Sequence, residues 1–319
     1  VPTDDYDTAL WAPVGAHLEG LGVDLRVGTP ACGLTLTPAG VEIGIAPGDG
    51  PSETLDADAV VLAADPRAAR ALIAGLACDS PGRPNPAPGS APGHGGRSAG
   101  GRPDRAVDPA DLAAWQHQVA ATYNAPPFAV VRLWLDRLVD ADRPAFLGTS
   151  GYGPLDNVSV LERFEAGAAA WSAGNGGSVV ELHAYACGPD VLTDSDAAAS
   201  LVDRMVAELH RVYPETTHAS EAHRELLIRD DCTLIGPERW AERPGVRTPS
   251  PALVLAGDWV RCDYPVALME RAATTGFLAA NELLAGWGVA GSDVWTVPMR
   301  GLLGRPRRTI GGLSPTASG

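Results

Sequence analysis

The sequence lacks lysine entirely, so all 24 of its basic residues are arginines, and its 39 acidic residues leave a formal net charge of −15. A protein with this excess of negative charge is not expected to bind nucleic acid. Cysteine is scarce too, because only five are present, far apart in the chain and without a CxxC pair. This spacing indicates neither a zinc site nor a disulfide framework, and it fits a reducing, cytoplasmic compartment.

Signals for membrane insertion are also missing, and two common enzyme motifs occur only out of context. No apolar run reaches the length of a membrane-spanning helix, and no signal peptide opens the chain. The serine hydrolase pattern G-x-S-x-G occurs at Gly96–Gly100, inside a stretch rich in Gly and Pro and without a strand before it. The phosphate-binding pattern G-x-G-x-x-G occurs at Gly286–Gly291, after a predicted helix and not between a strand and a helix. Because Val1 to Thr8 resembles the middle of a chain, we expect a fragment or a processed product of a longer protein.

Apolar periodicity in residues 1–78 predicts a helix, a meander of short strands and one buried strand. The meander is expected to begin with a strand at Val23–Val27. The buried strand is predicted at Ala59–Ala63, where the run is apolar throughout. Asp65-Pro66 then has the residue types that begin a helix. The order of these elements is typical of an α/β domain.

The rest of the sequence divides into four stretches of different composition. Residues 79–106 are nearly all Gly, Pro, Ser and Arg, which predicts a disordered insert. Residues 107–243 mix strands and helices as an α+β domain does. Residues 244–304 return to the pattern of the first unit, with an apolar strand and a helix. Residues 305–319 are predicted to be a loose tail.

The segment most informative about chemistry is an apolar strand that ends in Gly257-Asp258, followed by a helix that Pro265 is predicted to begin. Gly257 lets a ligand come close to the backbone. A carboxylate at the carboxyl end of a strand can accept hydrogen bonds from ribityl hydroxyls. The N-terminus of the next helix offers free N–H groups to the electron-rich edge of a flavin. Alone, however, a Gly-Asp dipeptide is most often an ordinary turn.

Residues 253–280 as a whole resemble the C-terminal FAD motif of the superfamily that includes phytoene desaturases, protoporphyrinogen oxidases and amine oxidases. A narrower resemblance, to isorenieratene synthase, is found in four segments: Arg132–Asp136, Gly177–Tyr185, Gly257–Cys262 and Trp295–Pro298. That family acts on carotenoid β-rings as a desaturase that also moves a methyl group. One departure is Val266, where many members of the superfamily have Gly.

The resemblance implies a set of cofactor-binding residues. Asp258 takes the place of the acid that binds the sugar chain of FAD, and Val266 to Met269 take the place of the helix start beneath the flavin. The strand that ends at Ala63 would approach the cofactor, and the backbone near Ala31 would meet adenine. The expected cofactor-binding set is Gly257, Asp258, Trp259, Pro265, Val266, Ala267, Leu268, Met269, Ala31, Cys32 and Ala63.

Three residues of the predicted substrate domain are candidates for catalysis. Glu181 and His183 share a strand face with Tyr185, and they would form a polar wall of the substrate cavity. The same alternation also fits a hydrogen-bonded, solvent-facing side of an antiparallel sheet, which is the commoner case. Asp136 shares a face with Arg132, and the two either reach the cavity or pair at the surface.

The resemblance further implies a discontinuous two-domain flavoprotein with FAD as its cofactor. Residues 1–78 and 244–304 would form the FAD-binding domain, and residues 107–243 the substrate-binding domain. The substrate would be a lipophilic β-ring carotenoid, reached by peripheral contact of a cytoplasmic enzyme with the membrane. Because no G-x-G-x-x-G in this sequence lies between a predicted strand and a predicted helix, a missing N-terminal segment of the same protein is expected to complete the FAD site.

Two alternatives stay open at this stage. One is another member of the superfamily, such as a squalene or phytoene desaturase or an amine oxidase. The other is a non-catalytic fragment or partner subunit without a cofactor. The products made from β-carotene distinguish the members of the superfamily from one another.

Overall fold

The computed structural model describes residues 3–46, 48, 50–78, 107–237 and 239–297. The predicted insert, residues 79–106, and the predicted tail, residues 305–319, both lie outside the described residues. The helices are α1 Ala12–Gly20, α2 Pro66–Ala74, α3 Pro109–Ala120, α4 Ala166–Asn175, α5 Ser195–Val212 and α6 Leu268–Gly286. The strands are β1 Ala31–Thr37, β2 Gly40–Ile45, β3 Glu53–Ala57, β4 Val60–Leu62, β5 Ala77–Cys78, β6 Phe128–Leu135, β7 Phe146–Gly148, β8 Asn157–Val160, β9 Val179–Ala184, β10 Glu221–Arg229 and β11 Leu253–Leu255.

The first and last parts of the described chain share one hydrophobic core. The strands β3, β2, β1 and β5 form one sheet in that order, and β4 pairs in parallel with β11. Buried residues of these strands pack with α2, α3 and the segment after β11; the core includes Leu34, Leu36, Val41, Leu62, Ile73, Trp115, Val119, Leu253, Leu255 and Trp259. The helix α3 therefore packs with this core, although the sequence places it in the substrate-binding domain.

Five strands between the two halves of that core form an antiparallel sheet with the order β10-β6-β9-β8-β7. Side chains alternate along β6, where every second residue is buried. The buried side chains pack against α5, an amphipathic helix that begins with the side chain of Asp194 accepting a hydrogen bond from Asp196 N–H over 2.9 Å. The opposite face of the sheet carries the polar side chains.

The predicted strand at Val23–Val27 is wrong. This segment has no strand conformation, and Val27 is 96% exposed. A segment with alternating apolar residues forms a strand only where a neighbouring strand pairs with its backbone N–H and C=O groups. Within the described residues, no strand pairs with this segment. The meander consists instead of β1, β2 and β3, so Ala31 and Cys32 lie inside its first strand and not between two strands.

The helix after Gly257-Asp258 begins later than the sequence predicts. Ala267 is extended, with φ −140° and ψ 162°, and α6 starts at Leu268. Pro265 and Val266 thus belong to the segment that leads into the helix. The helix α4 begins at Ala166, after β8 and a short 3-10 turn. In the described residues, no helix combines the length and the apolar character needed to cross a membrane.

Candidate functional site

The parallel pair of β4 and β11 brings together two loops that are distant in the sequence. Leu255 lies beside Leu62, and Ala256 N–H donates to the Leu62 carbonyl over 3.0 Å. Because the strands are parallel, their carboxyl ends meet at the same edge. Ala63, which is exposed, and Gly257 therefore lie side by side there. The carboxyl edge of a parallel pair is the usual place for a cofactor in folds of this kind.

Gly257 has a backbone conformation that only glycine adopts easily. Its φ is +140°, and a Cβ atom added there would lie 2.8 Å from Nε1 of Trp259. The indole of Trp259 is 1% exposed and donates from Nε1 to the Ala64 carbonyl over 2.9 Å. The side chain of Trp259 therefore lies in the core and supports the Gly257 turn, and contact of this residue with a cofactor stays a prediction.

Asp258 is half-buried beside a residue that the sequence does not single out. Thr233 Oγ1 donates to Asp258 Oδ1 over 2.6 Å. Thr233 follows β10 and pairs with Asn124, which precedes β6, in an isolated bridge. Within the described part of the chain, no hydrogen bond reaches Oδ2 of Asp258. One carboxylate oxygen is therefore oriented by Thr233, and the other is available to a ligand hydroxyl.

Two side chains of α6 fix the helix against the Gly257-Asp258 turn. Thr275 is fully buried, and its Oγ1 accepts from Gly257 N–H over 2.9 Å. The Arg271 guanidinium donates to the carbonyls of Val266 at 2.7 Å and of Asp258 at 3.2 Å, and it lies 4.9 Å from the ring centre of Trp240. The start of α6 and the end of β11 consequently hold a fixed position relative to one another.

The N-terminus of α6 is open. Leu268 and Met269 are 74% and 61% exposed, and no side chain caps the helix. The first N–H groups of a helix have no carbonyl partner within it, and they carry the positive end of the helix dipole. Leu268 has φ +51°, an unusual value for a residue other than glycine, so the backbone turns sharply where Ala267 ends and α6 begins.

These observations agree with the expected donor and acceptor set for a flavin. Three features lie at one edge of the structure: a carboxylate with a free oxygen, a glycine turn that a Cβ would obstruct, and an open helix N-terminus. Pro265 and Ala267 are exposed in the lead-in to that helix. Ala31 and Cys32 are exposed at the beginning of β1, and their contact with adenine stays a prediction.

A second cluster of polar side chains lies on the open face of the five-stranded sheet. Arg132 Nη2 donates to Glu181 Oε2 over 2.7 Å, and Glu165 lies 3.8 Å from the same guanidinium. Glu181 Oε1 is 2.9 Å from His183 Nε2, while His183 Nδ1 is 2.9 Å from the Tyr185 hydroxyl. Glu181 and His183 are therefore together, as expected, and they belong to a hydrogen-bonded chain that continues to Tyr185.

The environment of Glu181 favours its ionised form. Burial alone raises the pKa of Glu181, but the hydrogen bonds from His183 and Arg132, with the charge of Arg132, outweigh it. The net pKa lies below its ordinary value of 4.5, so the side chain is a carboxylate at neutral pH.

Asp136 does not join this cluster. Its side chain is exposed, and its Oδ1 accepts from the backbone N–H of Ser220 over 2.7 Å, which ties the end of β6 to the beginning of β10. Arg132 pairs with Glu181 instead of Asp136, so the expected alternative of an Arg132–Asp136 pair is also wrong. The position of Asp136 fits a turn residue and does not support a catalytic role.

The comparisons with known proteins agree with this geometry. The family model of flavin containing amine oxidoreductases matches residues 4–284. A carotenoid phi-ring synthase from Streptomyces griseus is 44% identical over 301 residues, which cover 94% of this chain and 50% of the relative. A carotenoid phi-ring synthase from Chlorobaculum tepidum is 41% identical over 187 residues, which cover 58% of this chain and 28% of the relative.

Among solved structures, an oxidoreductase from Methanosarcina mazei is similar with a TM-score of 0.49 and 14% identity, over 79% of this chain and 49% of that one. The chain spans half the length, or less, of the curated relatives that it matches. The match to the family model nevertheless extends over most of the sequence and includes β4, β11 and the start of α6. The chain therefore belongs to the family of flavin containing amine oxidoreductases.

Proposed function

We propose that this chain is part of an FAD-dependent oxidoreductase that converts the β-ring of a carotenoid into an aromatic ring. The observation that carries the proposal is the 44% identity over 301 residues to a carotenoid phi-ring synthase. The match includes both the Gly257-Asp258 edge and the sheet with Glu181 and His183. A substrate dissolved in the membrane also implies peripheral contact of the protein with that membrane.

Asp258 and the N-terminus of α6 would hold FAD in this proposal. The free Oδ2 of Asp258 would accept a hydrogen bond from a hydroxyl of the cofactor, and the first N–H groups of α6 would be donors to its electron-rich part. When bound, the flavin accepts hydride equivalents. Arg271 and Thr275 keep these two elements in register, because they connect α6 to the Gly257-Asp258 turn.

The conversion of a β-ring into a trimethyl aromatic ring removes four hydrogen atoms and moves one methyl group. These four hydrogens amount to two hydride equivalents, for which bound FAD would be the acceptor, and two protons, which bases would take up. Loss of hydride leaves a cation on the ring, and a methyl of the neighbouring quaternary carbon migrates toward it. Turnover requires reoxidation of the flavin by an external electron acceptor. The Glu181 carboxylate supplies fixed negative charge that favours the cationic stage.

The experiment that tests the proposal is product analysis in cells that make β-carotene. Because the chain spans about half of the Streptomyces griseus relative, it is expressed alone and also joined to the portion of that relative which it does not match. We call the joined form the completed protein. The completed protein is expected to yield a pigment with aromatic ring protons by NMR and a mass about four units lower for each converted ring.

Other products would contradict this proposal and identify a different reaction. A longer polyene with intact β-rings would indicate ordinary chain desaturation, and unchanged β-carotene beside oxidised amines would indicate an amine oxidase. The chain alone is expected to retain much less than one flavin per chain, because its sequence has no G-x-G-x-x-G between a strand and a helix; its one such pattern, Gly286–Gly291, follows α6. A yellow chain with near-stoichiometric flavin would show that it needs no further segment for the cofactor.

A further inference from the structure

The polar chain on the five-stranded sheet ends in a tyrosine hydroxyl that is open to a ligand. His183 on β9 lies between Val130 on β6 and Asn157 on β8, with which it pairs on either side. The three residues are on the face turned away from α5. The side chains of Glu181 and His183 are only 16% and 24% exposed. Tyr185, at the end of the chain of hydrogen bonds, is 53% exposed. A ligand on this face therefore meets Tyr185 before the two residues behind it.

The ionisation of Glu181 fixes the direction of the hydrogen bonds. A carboxylate can only accept, so the His183 nitrogen that faces it, Nε2, carries a proton. In the neutral imidazole the other nitrogen, Nδ1, is then an acceptor. The Tyr185 hydroxyl lies 2.9 Å from Nδ1 and donates to it when the imidazole is neutral. The order of donors is thus Tyr185 to His183 to Glu181, as in relays that activate a hydroxyl group.

Asn157 holds the oxygen of Tyr185 from the other side. Its Nδ2 lies 3.2 Å from the Tyr185 oxygen and donates to it, while its Oδ1 is buried and has no partner within the described residues. The backbone of Tyr185 is fixed as well, since its N–H donates to Asp156 Oδ2 over 2.7 Å. A phenol oxygen that donates once and accepts once keeps one lone pair, and Tyr185 is exposed enough for a ligand to reach it.

The open end of this chain lies at the end of the sheet that connects to Asp258. Tyr185 follows β9, whose last residue, Ala184, pairs with Ala129 near the beginning of β6. The segment before β6 contains Asn124, and Asn124 pairs with Thr233. Thr233 in turn donates to Asp258. Tyr185 is consequently at the end of the sheet from which the chain leads to the Asp258 turn, and we expect a substrate ring bound between the two to contact it.

We propose that Tyr185 is a catalytic group that accepts a proton from the carotenoid ring, with His183 and Glu181 as positioning residues behind it. This inference rests on the proposed function. After hydride loss to the flavin, a C–H bond beside the ring cation breaks, and its electron pair forms the new ring C=C bond. The proton goes to the Tyr185 oxygen, whose own proton moves to His183 Nδ1. The resulting imidazolium is stabilised by Glu181 and later releases the proton to water.

The test in the completed protein is Tyr185→Phe, which removes one hydroxyl and keeps the ring. The rate of aromatic ring formation is expected to fall about 100-fold or more, the usual size of general-base effects, with unchanged flavin content. The matched control is Tyr152→Phe, because Tyr152 packs against the core on the other side of the sheet. Full activity of Tyr185→Phe beside an active wild-type protein overturns the relay alone. A wild-type protein that forms no aromatic ring overturns the proposed function and the relay together.

A second measurement needs neither cofactor nor substrate. Two-bond 1H–15N correlation spectra of the chain report which nitrogen of each of its seven histidines carries the proton. We expect His183 with the proton on Nε2, and we expect Tyr185→Phe to shift its Nδ1 resonance while Tyr152→Phe leaves it unchanged. A proton on Nδ1 of neutral His183 would make Tyr185 the acceptor and would overturn the proposed relay.

Discussion

The hydroxyl oxygen of Thr275 accepts a hydrogen bond from the backbone N–H of Gly257 over 2.9 Å, which joins α6 to the end of β11. Thr275 is 0% exposed, and Gly257 is partly buried. The same hydroxyl lies 3.0 Å from the Gly257 carbonyl. Its single proton also has the carbonyls of Arg271 at 2.9 Å and Ala272 at 3.0 Å within reach, so the bond that this side chain makes to Gly257 without competition is the one it accepts from the N–H.

Thr275→Val is expected to destabilise the chain by about 1–3 kcal/mol, because an almost isosteric side chain leaves the Gly257 N–H buried without an acceptor. The matched control is Thr274→Val, a buried threonine of the same helix that does not bond Gly257. Denaturant unfolding of the two variants measures the difference. Equal losses in both would mean that the Gly257 bond contributes nothing beyond the burial of a threonine.

Gly257→Ala is expected to be more damaging than an alanine at another glycine with positive φ. The added Cβ at Gly257 meets the Trp259 indole at 2.8 Å, whereas a Cβ at Gly176, with φ +73°, meets nothing within 4 Å. Gly176→Ala should therefore cost about 1–2 kcal/mol for the left-handed backbone alone. Gly257→Ala adds a steric clash in the core. Thermal unfolding of both variants gives the comparison, and a smaller loss at position 257 would contradict it.

Sequence patterns predict the elements whose signals are local. Asp65-Pro66 begins α2 as expected, and alternation along β6 places its residues on the correct faces. Alternation at Val23–Val27 predicts a strand wrongly, because the pattern contains no information about a pairing partner. The start of α6 is displaced to Leu268 for a similar reason, since Arg271 holds the preceding carbonyl of Val266 and no local cap signal exists.

The candidate sites are predictable only in part. The Gly257-Asp258 dipeptide and the pair Glu181 and His183 stand out in the sequence, because turn residues and strand periodicity are local features. Their partners do not, since Thr233 is 25 residues from Asp258 and Arg132 is 49 residues from Glu181. Such contacts depend on strand register and on the crossing of loops, which a single sequence does not specify.

Asp258→Asn in the completed protein is expected to weaken FAD binding about tenfold or more. A charge-assisted hydrogen bond is worth roughly 1.5–3 kcal/mol, and each 1.4 kcal/mol corresponds to a factor of ten in affinity. The amide oxygen still accepts from Thr233, so the fold should change little. Flavin retained after dialysis is the measurement, with Asp263→Asn, on the exposed loop that follows, as the control. Unchanged flavin in Asp258→Asn would remove this residue from the site.

Glu181→Gln is expected to lower the free energy of unfolding by about 1.5–3 kcal/mol at neutral pH, the usual value of hydrogen bonds to a charged group. The folded-state pKa of Glu181 lies below 4.5. Its stabilising contribution is therefore complete above that pH and is lost as the pH falls through the lower folded-state value. The difference between wild type and Glu181→Gln should accordingly shrink in acid.

The control for this pH dependence is Glu225→Gln, a residue opposite Arg132 on the same face, with 61% of its side chain exposed. Its exposed carboxylate should contribute little, so this variant should follow the wild-type curve. Chemical denaturation at several pH values between acid and neutral compares the three proteins. A constant difference between wild type and Glu181→Gln at all pH values would show that the ionised form is not preferentially stabilised.

The parallel pairing of β4 with β11 also determines when the protein can fold during synthesis. Trp259 donates to the carbonyl of Ala64, which is 195 residues earlier in the chain. The five-stranded sheet, by contrast, closes within residues 128–229. On the ribosome, the sheet with its polar relay can therefore assemble first, while the first 78 residues wait with an incomplete core. Premature termination before β11 would leave Leu62 and its neighbours exposed, so a nascent chain stalled there should be a target for chaperones and proteases.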